Sequence, residues 1–267
     1  MRDWDIAFYG RVFNAACRNN SMPTIDHPED VYIAQIARFD PSKGIFDVLD
    51  SYAKFRKRLV ELASEFRPPK LLICGQGSTD DPDGSIVFDA VINYIGTRIP
   101  QLADSICVMR LNPSDQILNA LLSKCQVALQ LSSEEGFEVK VSEAIHKGKP
   151  VIATMAGGIP LQVKDKENGF LVDVGDTDSV CQHLYDLWTD EGLYNTMSNS
   201  ALNTVSDEVN TVGNAMCWLY LAWKLIHNRN CKPNGRWIND MAREEANQPY
   251  QEGENRLKRA VEVKDMK

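Results

Sequence analysis

Two glutamates eight positions apart, Glu135 and Glu143, stand in the stretch SSEEGFEVKVSEAIHKGKPVIAT, residues 132–154. If a helix starts near Phe137 or Glu138, Glu143 falls on its second turn and Glu135 in the loop before it. The free N–H groups of that helix then face the same space as the Glu135 carboxylate. This combination suits a neutral, hydroxyl-rich ligand, because a carboxylate accepts O–H bonds while amides donate to neighbouring oxygens. A purely electrostatic reading competes with it. Glu134, Glu135 and Glu138 would each favour a helix N-terminus by about 0.3–1 kcal/mol.

A second set is cationic. Arg38 and Lys43 lie in RFDPSKG, between an apolar strand pattern and a helical one. Cations there, beside free backbone N–H groups, form a phosphate site or else two solvated surface charges. The loop from Gly75 to Gly84 holds Gly75 and Gly77 directly after a strand, where the backbone can approach a ligand closely. Its spacing is neither a dinucleotide fingerprint nor a phosphate loop. Asp80, Asp81 and Asp83 raise the question of a divalent metal; we read them as an acidic turn held by Asx hydrogen bonds. Gly157-Gly158-Ile159-Pro160 either lends amides to a ligand or only turns the chain. His146 suits a helix C-terminus. No Ser–His–Asp or Cys–His arrangement and no metal-ligand spacing is evident.

The elements that must position these residues alternate. Strand patterns cover 31–39, 70–74, 105–111, 127–131 and 150–153, with a short one near 170–172. Helical spacing covers 44–66, 85–98, 113–124, 178–188 and 191–205. Such alternation predicts βαβ units around a mainly parallel, Rossmann-like sheet with helices on both faces. Parallel sheets bind ligands at the carboxyl ends of their strands. That rule selects the loops after Phe39, Cys74, Leu111, Leu131 and Thr154, which carry the unusual polar residues. Three segments follow: a linker-like 1–30, a Rossmann-like 31–205, and 206–267, an apolar helix and polar tail. The helix, 209–227, carries Trp218 and Trp223 and is expected to pack across a domain face. The tail is expected to hold a solvent-facing helix at 251–264.

Composition narrows the class. Apolar residues make up 43% and charged residues 25%, ordinary values for a chain with a sizeable core. The net charge of −8 argues against a general nucleic-acid binder. No run of about 18 apolar residues is present, so no membrane span is expected. The seven cysteines lack C-x-x-C spacing and read as buried, reduced thiols of a cytoplasmic protein.

RFDPSKG, the strand-end GQG, EGFEVKVSEA, GKPVIAT and AGGIP, in that order, resemble the C-terminal domain of a retaining glycosyltransferase of the GT-B fold. Within it, EGFEVKVSEA, HKGKPVI, GGIPLQV and the DDPDG loop look closest to the trehalose synthase and trehalose phosphorylase group, fungal members included. The resemblance implies a catalytic set of Arg38, Lys43 and Glu135. Arg38 and Lys43 would hold the donor phosphates or inorganic phosphate, and Glu135 the transferred glucose. Gly75, Gly77, Gly136, Phe137, Glu138, Glu143, Gly157 and Gly158 would line the donor site, Glu143 at the ribose of a nucleotide sugar. It implies no cofactor and no metal. The ligands would be a nucleotide sugar, glucose 1-phosphate or phosphate, with glucose or trehalose on the other side. The commoner motif has Gly where Glu138 stands and an apolar residue where Lys140 stands, which leaves the nucleotide preference open. Such enzymes work between two domains, and about 30 residues here precede the donor domain. A missing N-terminal acceptor domain, a homo-oligomer, or a non-catalytic donor-binding or regulatory module would each fit that.

Overall fold

The computed structural model describes residues 1–26, 28–76 and 83–259. The chain divides into two compact units, Met1–Asn203 and Thr204–Lys267. The first begins with helix α1 (Asp3–Asn19), then β1 (Tyr32–Ile36), α2 (Ile45–Leu62), β2 (Lys70–Gln76), α3 (Asp83–Arg98) and β3 (Ile106–Leu111). It continues with α4 (Asp115–Lys124), β4 (Val127–Gln130), α5 (Val139–His146), β5 (Val151–Thr154), α6 (Ile159–Gln162), β6 (Gly169–Val172), α7 (Thr177–Thr189) and α8 (Glu191–Thr204). The second holds α9 (Thr211–Ile226) and α10 (Ile238–Glu245).

The six strands form one sheet in the order β3-β2-β1-β4-β5-β6, every neighbour parallel. A strand covered on both faces is buried at every position and reads as a near-continuous apolar run, not an alternating one. YIAQI of β1 and VIAT of β5 are buried throughout, as that requires. On one face Ile33, Leu71, Ile73 and Leu129 pack with Val48, Leu49 and Phe55 of α2 and with Leu184 of α7. On the other, the Tyr32 hydroxyl donates to the Leu121 carbonyl of α4, and Cys17 of α1 lies 3.6 Å from Cys107 of β3.

Strand order reverses between β1 and β4, because β1 leads outward to β2 and β3 on one side and β4 to β5 and β6 on the other. Doubly wound sheets open a crevice at that point, outside the carboxyl ends of the two strands. The β1–β4 register pairs Ile33 with Val127 and Ala34 with Ala128. Beyond it, buried glutamine side chains span the strands. Gln35 donates to the Lys43 carbonyl at 2.8 Å and accepts the Leu131 N–H at 3.2 Å. Gln130 donates to the Ile36 carbonyl at 3.0 Å.

Two tertiary placements differ from the sequence reading. Residues 1–30 include the 17-residue helix α1, whose Phe13, Asn14 and Cys17 are buried, so this segment is more than a linker. The expected helix at 251–264 does not form over 251–259; the tail's helix is α10. Mixed charge at 251–264 resembled a solvated helix face. Instead Arg243 and Arg259 draw Glu254, Glu208 and Asp240 into ion pairs.

Candidate functional site

The first wall of the crevice is the turn after β1. Asp40 caps a single 3₁₀ turn, Pro41–Lys43, accepting the Ser42 N–H at 2.8 Å and the Ser42 hydroxyl at 2.6 Å. Those two donors hold the Asp40 carboxyl below the usual carboxylate range. The cap turns Lys43 inward, leaving its side chain 9% exposed. The Ser42 carbonyl accepts the Ser133 N–H at 2.7 Å, which fastens this turn to the second wall.

The second wall is the loop from Ser132 to Glu138, between β4 and α5. Here the Lys43 ammonium donates to Glu135 and, at 2.9 Å, to Glu138. Burial disfavours the charged lysine, yet the two carboxylates outweigh it and raise its pKa. Burial likewise pushes Glu135 upward, but Lys43 prevails and its pKa is lowered. Glu138 moves the other way. Its burial and the neighbouring Glu135 charge exceed the pull of Lys43, and its pKa is raised. Glu138 also holds a left-handed backbone, φ +59°, as the N-cap of α5. A non-glycine residue in that region costs roughly 1–3 kcal/mol.

The GGIP segment braces this loop from below. Gly157 has φ +51°, and a Cβ there would lie 1.7 Å from the Glu135 carbonyl oxygen, so only glycine fits. The Gly158 N–H donates to the Gly136 carbonyl at 2.7 Å. Gln162 finishes the brace. Its carbonyl oxygen accepts the Ser142 N–H at 3.1 Å and the Ser142 hydroxyl at 2.6 Å, and its amide donates to the Phe137 carbonyl.

Comparison with known proteins decides what kind of domain this is. The family described as "Glycosyl transferases group 1" matches residues 30–190. The chain belongs to that family. Trehalose phosphorylase of Pleurotus pulmonarius is 52% identical over 260 residues, covering 96% of this chain and 35% of the relative. Trehalose synthase of Thermococcus litoralis is 40% identical over 152 residues, covering 56% of this chain and 34% of the relative. The chain therefore spans about a third of the length of these relatives. Among solved structures, sucrose-phosphate synthase from Thermosynechococcus elongatus superposes with a TM-score of 0.63 at 21% identity, covering 80% of this chain and 49% of that one. Anabaena Alr3699/HepE in complex with UDP and glucose gives 0.58 at 19% identity, covering 85% and 53%.

In this glycosyl transferase group 1 domain, one cleft of about 330 Å³ is lined by Arg38, Lys43, Gly75, Glu135 and Glu138, with Gln76 and Lys140 beside them. Gly75 is there because β2 approaches β1 closely; a Cβ would lie 1.9 Å from the Ala37 carbonyl oxygen. Gly136 sits at the loop apex, its N–H donating to the Glu135 carboxylate at 3.0 Å. Glu143 does not line this cleft. Its carboxylate takes the Lys140 ammonium at 2.7 Å. Phe137, Gly157 and Gly158 shape the backbone behind Glu135. Gly77 and the aspartates Asp80 and Asp81 lie outside the described residues, as does His27. Among the described residues no group of three metal-binding side chains gathers, and no helix is long and apolar enough to cross a membrane.

Sequence reasoning passed over the glutamines. Gln35, Gln130 and Gln162 are all buried, and they tie together the three backbone segments that carry the charged residues. A signal was available for two of them. Gln35 and Gln130 interrupt otherwise apolar strand runs, and a buried amide there needs partners that the strand ladder does not supply.

Proposed function

We propose that the chain is the donor half of a retaining hexosyltransferase of trehalose metabolism, moving a glucosyl group between trehalose and a phosphate-bearing partner. One observation carries this reading. Arg38, Lys43 and Glu135 converge on the crevice between β1 and β4, in a chain 52% identical to a trehalose phosphorylase. Arg38 and Lys43 would bind the phosphate of glucose 1-phosphate, of inorganic phosphate or of a nucleotide sugar, and stabilise its charge as the glycosidic bond breaks or forms. Glu135 would accept hydroxyl hydrogen bonds from the glucose while the sugar passes through an oxocarbenium-like state. The acceptor side would come from sequence outside this third of the relatives' length. Reduced thiols at Cys17, Cys74, Cys107, Cys125 and Cys181 fit a cytoplasmic setting.

Calorimetry with inorganic phosphate, glucose 1-phosphate and UDP-glucose tests the reading. Saturable binding of at least one is expected, weakened at least tenfold in Arg38→Ala, roughly the worth of one charge-assisted hydrogen bond. A folded chain that binds none of the three would sink it. Turnover is a separate question. Release of glucose 1-phosphate from trehalose and phosphate by this chain alone would exclude the alternative of a donor-binding module without catalysis.

A further inference from the structure

A phosphate site built on Arg38 and Lys43 does not need two carboxylates on the lysine. Glu135 has a sugar to hold, which leaves Glu138 unaccounted for. Its side chain is 10% exposed, on the cleft wall, with one oxygen 2.9 Å from the Lys43 ammonium. The other oxygen accepts the Lys140 N–H at 3.3 Å, a long bond for an N-cap. Asn or Ser caps a helix with a shorter side chain and without burying a second acid. Glu138 also keeps a left-handed backbone that glycine would adopt freely. A cap alone explains none of the burial, the reach or the backbone.

The charges around Glu138 come from each wall. Lys43 stands on the turn after β1 and Arg38 at the end of that strand. Glu135 is in the loop after β4, and Lys140 is on α5 with Glu143 paired to it. The end of β2 adds Gly75 and Gln76, and α4 adds Leu118, all uncharged. Two carboxylates thus share one ammonium, and a phosphate arriving at Arg38 and Lys43 would add a third anion to the same lysine. Like charges this close do not all stay ionised.

We propose that Glu138 is the residue that makes phosphate binding at this site proton-linked. It takes one proton from solvent as the phosphate group binds, releases the Lys43 ammonium, and in its neutral form donates a hydrogen bond to a phosphate oxygen. This deepens the assignment of Arg38 and Lys43 as phosphate ligands and rests on it. The shift of Glu138 above the ordinary carboxylate range in the unliganded site agrees. An incoming anion would raise it further, so affinity should fall as pH rises past the unliganded value. The limit for one linked proton is about tenfold per pH unit.

Calorimetry on the full chain in two buffers of different ionisation heat counts the protons. Inorganic phosphate, glucose 1-phosphate and UDP-glucose distinguish the source of the phosphate group. Sulfate, which does not titrate in this range, separates the protein's proton from the ligand's own. Wild type should take up close to one proton per sulfate bound. Glu138→Gln keeps a cap acceptor and a hydrogen-bond donor; it should bind sulfate with a flat pH profile and no proton uptake. Above the unliganded value of Glu138 it should bind more tightly than wild type, by up to about tenfold for each pH unit. Wild-type sulfate binding without proton uptake, or an unchanged pH slope in Glu138→Gln, would overturn this inference and leave the phosphate site standing. A chain folded by circular dichroism that binds no anion at any pH would overturn both.

Discussion

The two units of this chain are held by different forces. In Met1–Asn203, apolar side chains from six strands and their helices make the core, with Ile33, Leu71, Leu129 and Ile152 fully buried. In Thr204–Lys267 many of the apolar side chains of α9 point outward. Val212, Trp218, Leu219, Leu225 and Ile226 are each more than 70% exposed. Beside Ala242 and Leu257, an acid is buried there. Glu208 accepts from the Tyr250 hydroxyl at 2.8 Å, the Leu257 N–H at 2.6 Å and the Arg259 guanidinium, which also reaches Asp240. Apolar content and apolar burial are separate properties. The first is read from a sequence; the second depends on which neighbours fold over it.

The largest effect is expected from breaking the ion cluster. Glu208→Ala leaves Arg259 paired with Asp240 but takes the acceptor from the Leu257 N–H and the Tyr250 hydroxyl, and should cost about 3–5 kcal/mol, from several hydrogen bonds to a charged group at about 1.5–3 kcal/mol each. Hydrogen exchange should show Thr204–Lys267 losing protection while the sheet keeps it. Equal loss in both would mean that they unfold as one body. Leu129→Ala is the matching cut in the sheet, expected to cost roughly 2–5 kcal/mol, with a lowered melting temperature and no change confined to the tail.

Acid should separate the two units without a mutation. Burial pushes Glu208 toward protonation, but Arg259, the Leu257 amide and Tyr250 outweigh it and hold its pKa below the ordinary value. A depressed carboxyl contributes stability above its unfolded pKa, about 4.3 for glutamate. That contribution disappears as pH falls through the lower folded value. Protection in Thr204–Lys267 should therefore fail below about pH 4, ahead of the sheet, and Glu208→Gln should remove the difference. The smallest effect belongs to Trp218→Ala. At 72% exposure it should change stability by no more than about 0.5 kcal/mol. A larger loss in thermal melts would show that this side chain has a buried partner.

Much of the site could be read before any coordinates. RFDPSKG, the strand-end glycines and EGFEVKVSEA pointed to one sheet edge, and Arg38, Lys43, Gly75, Glu135 and Glu138 do line one cleft. Glu143 was harder. Its spacing from Glu135 is visible, but its pairing with Lys140 depends on side chains meeting three residues apart on α5. The question of GGIP as amide donor or turn was open in sequence. The Gly157 Cβ space is filled by the Glu135 carbonyl, and that kind of fact exists only between segments distant in the chain.

Between residues 31 and 205 the sequence by itself determined the element types, because apolar spacing and turn residues act over a few neighbours. It thereby determined a parallel α/β sheet and the edge at which its polar loops would gather. Tertiary structure alone decided that β1 lies beside β4, which brings Lys43 within reach of Glu135 and Glu138, 92 and 95 residues away. It also decided that Glu208 would be buried while Trp218 faces outward. The reason is common to both cases. An ion pair or a buried face is a relation between two surfaces, and a linear pattern describes one surface at a time.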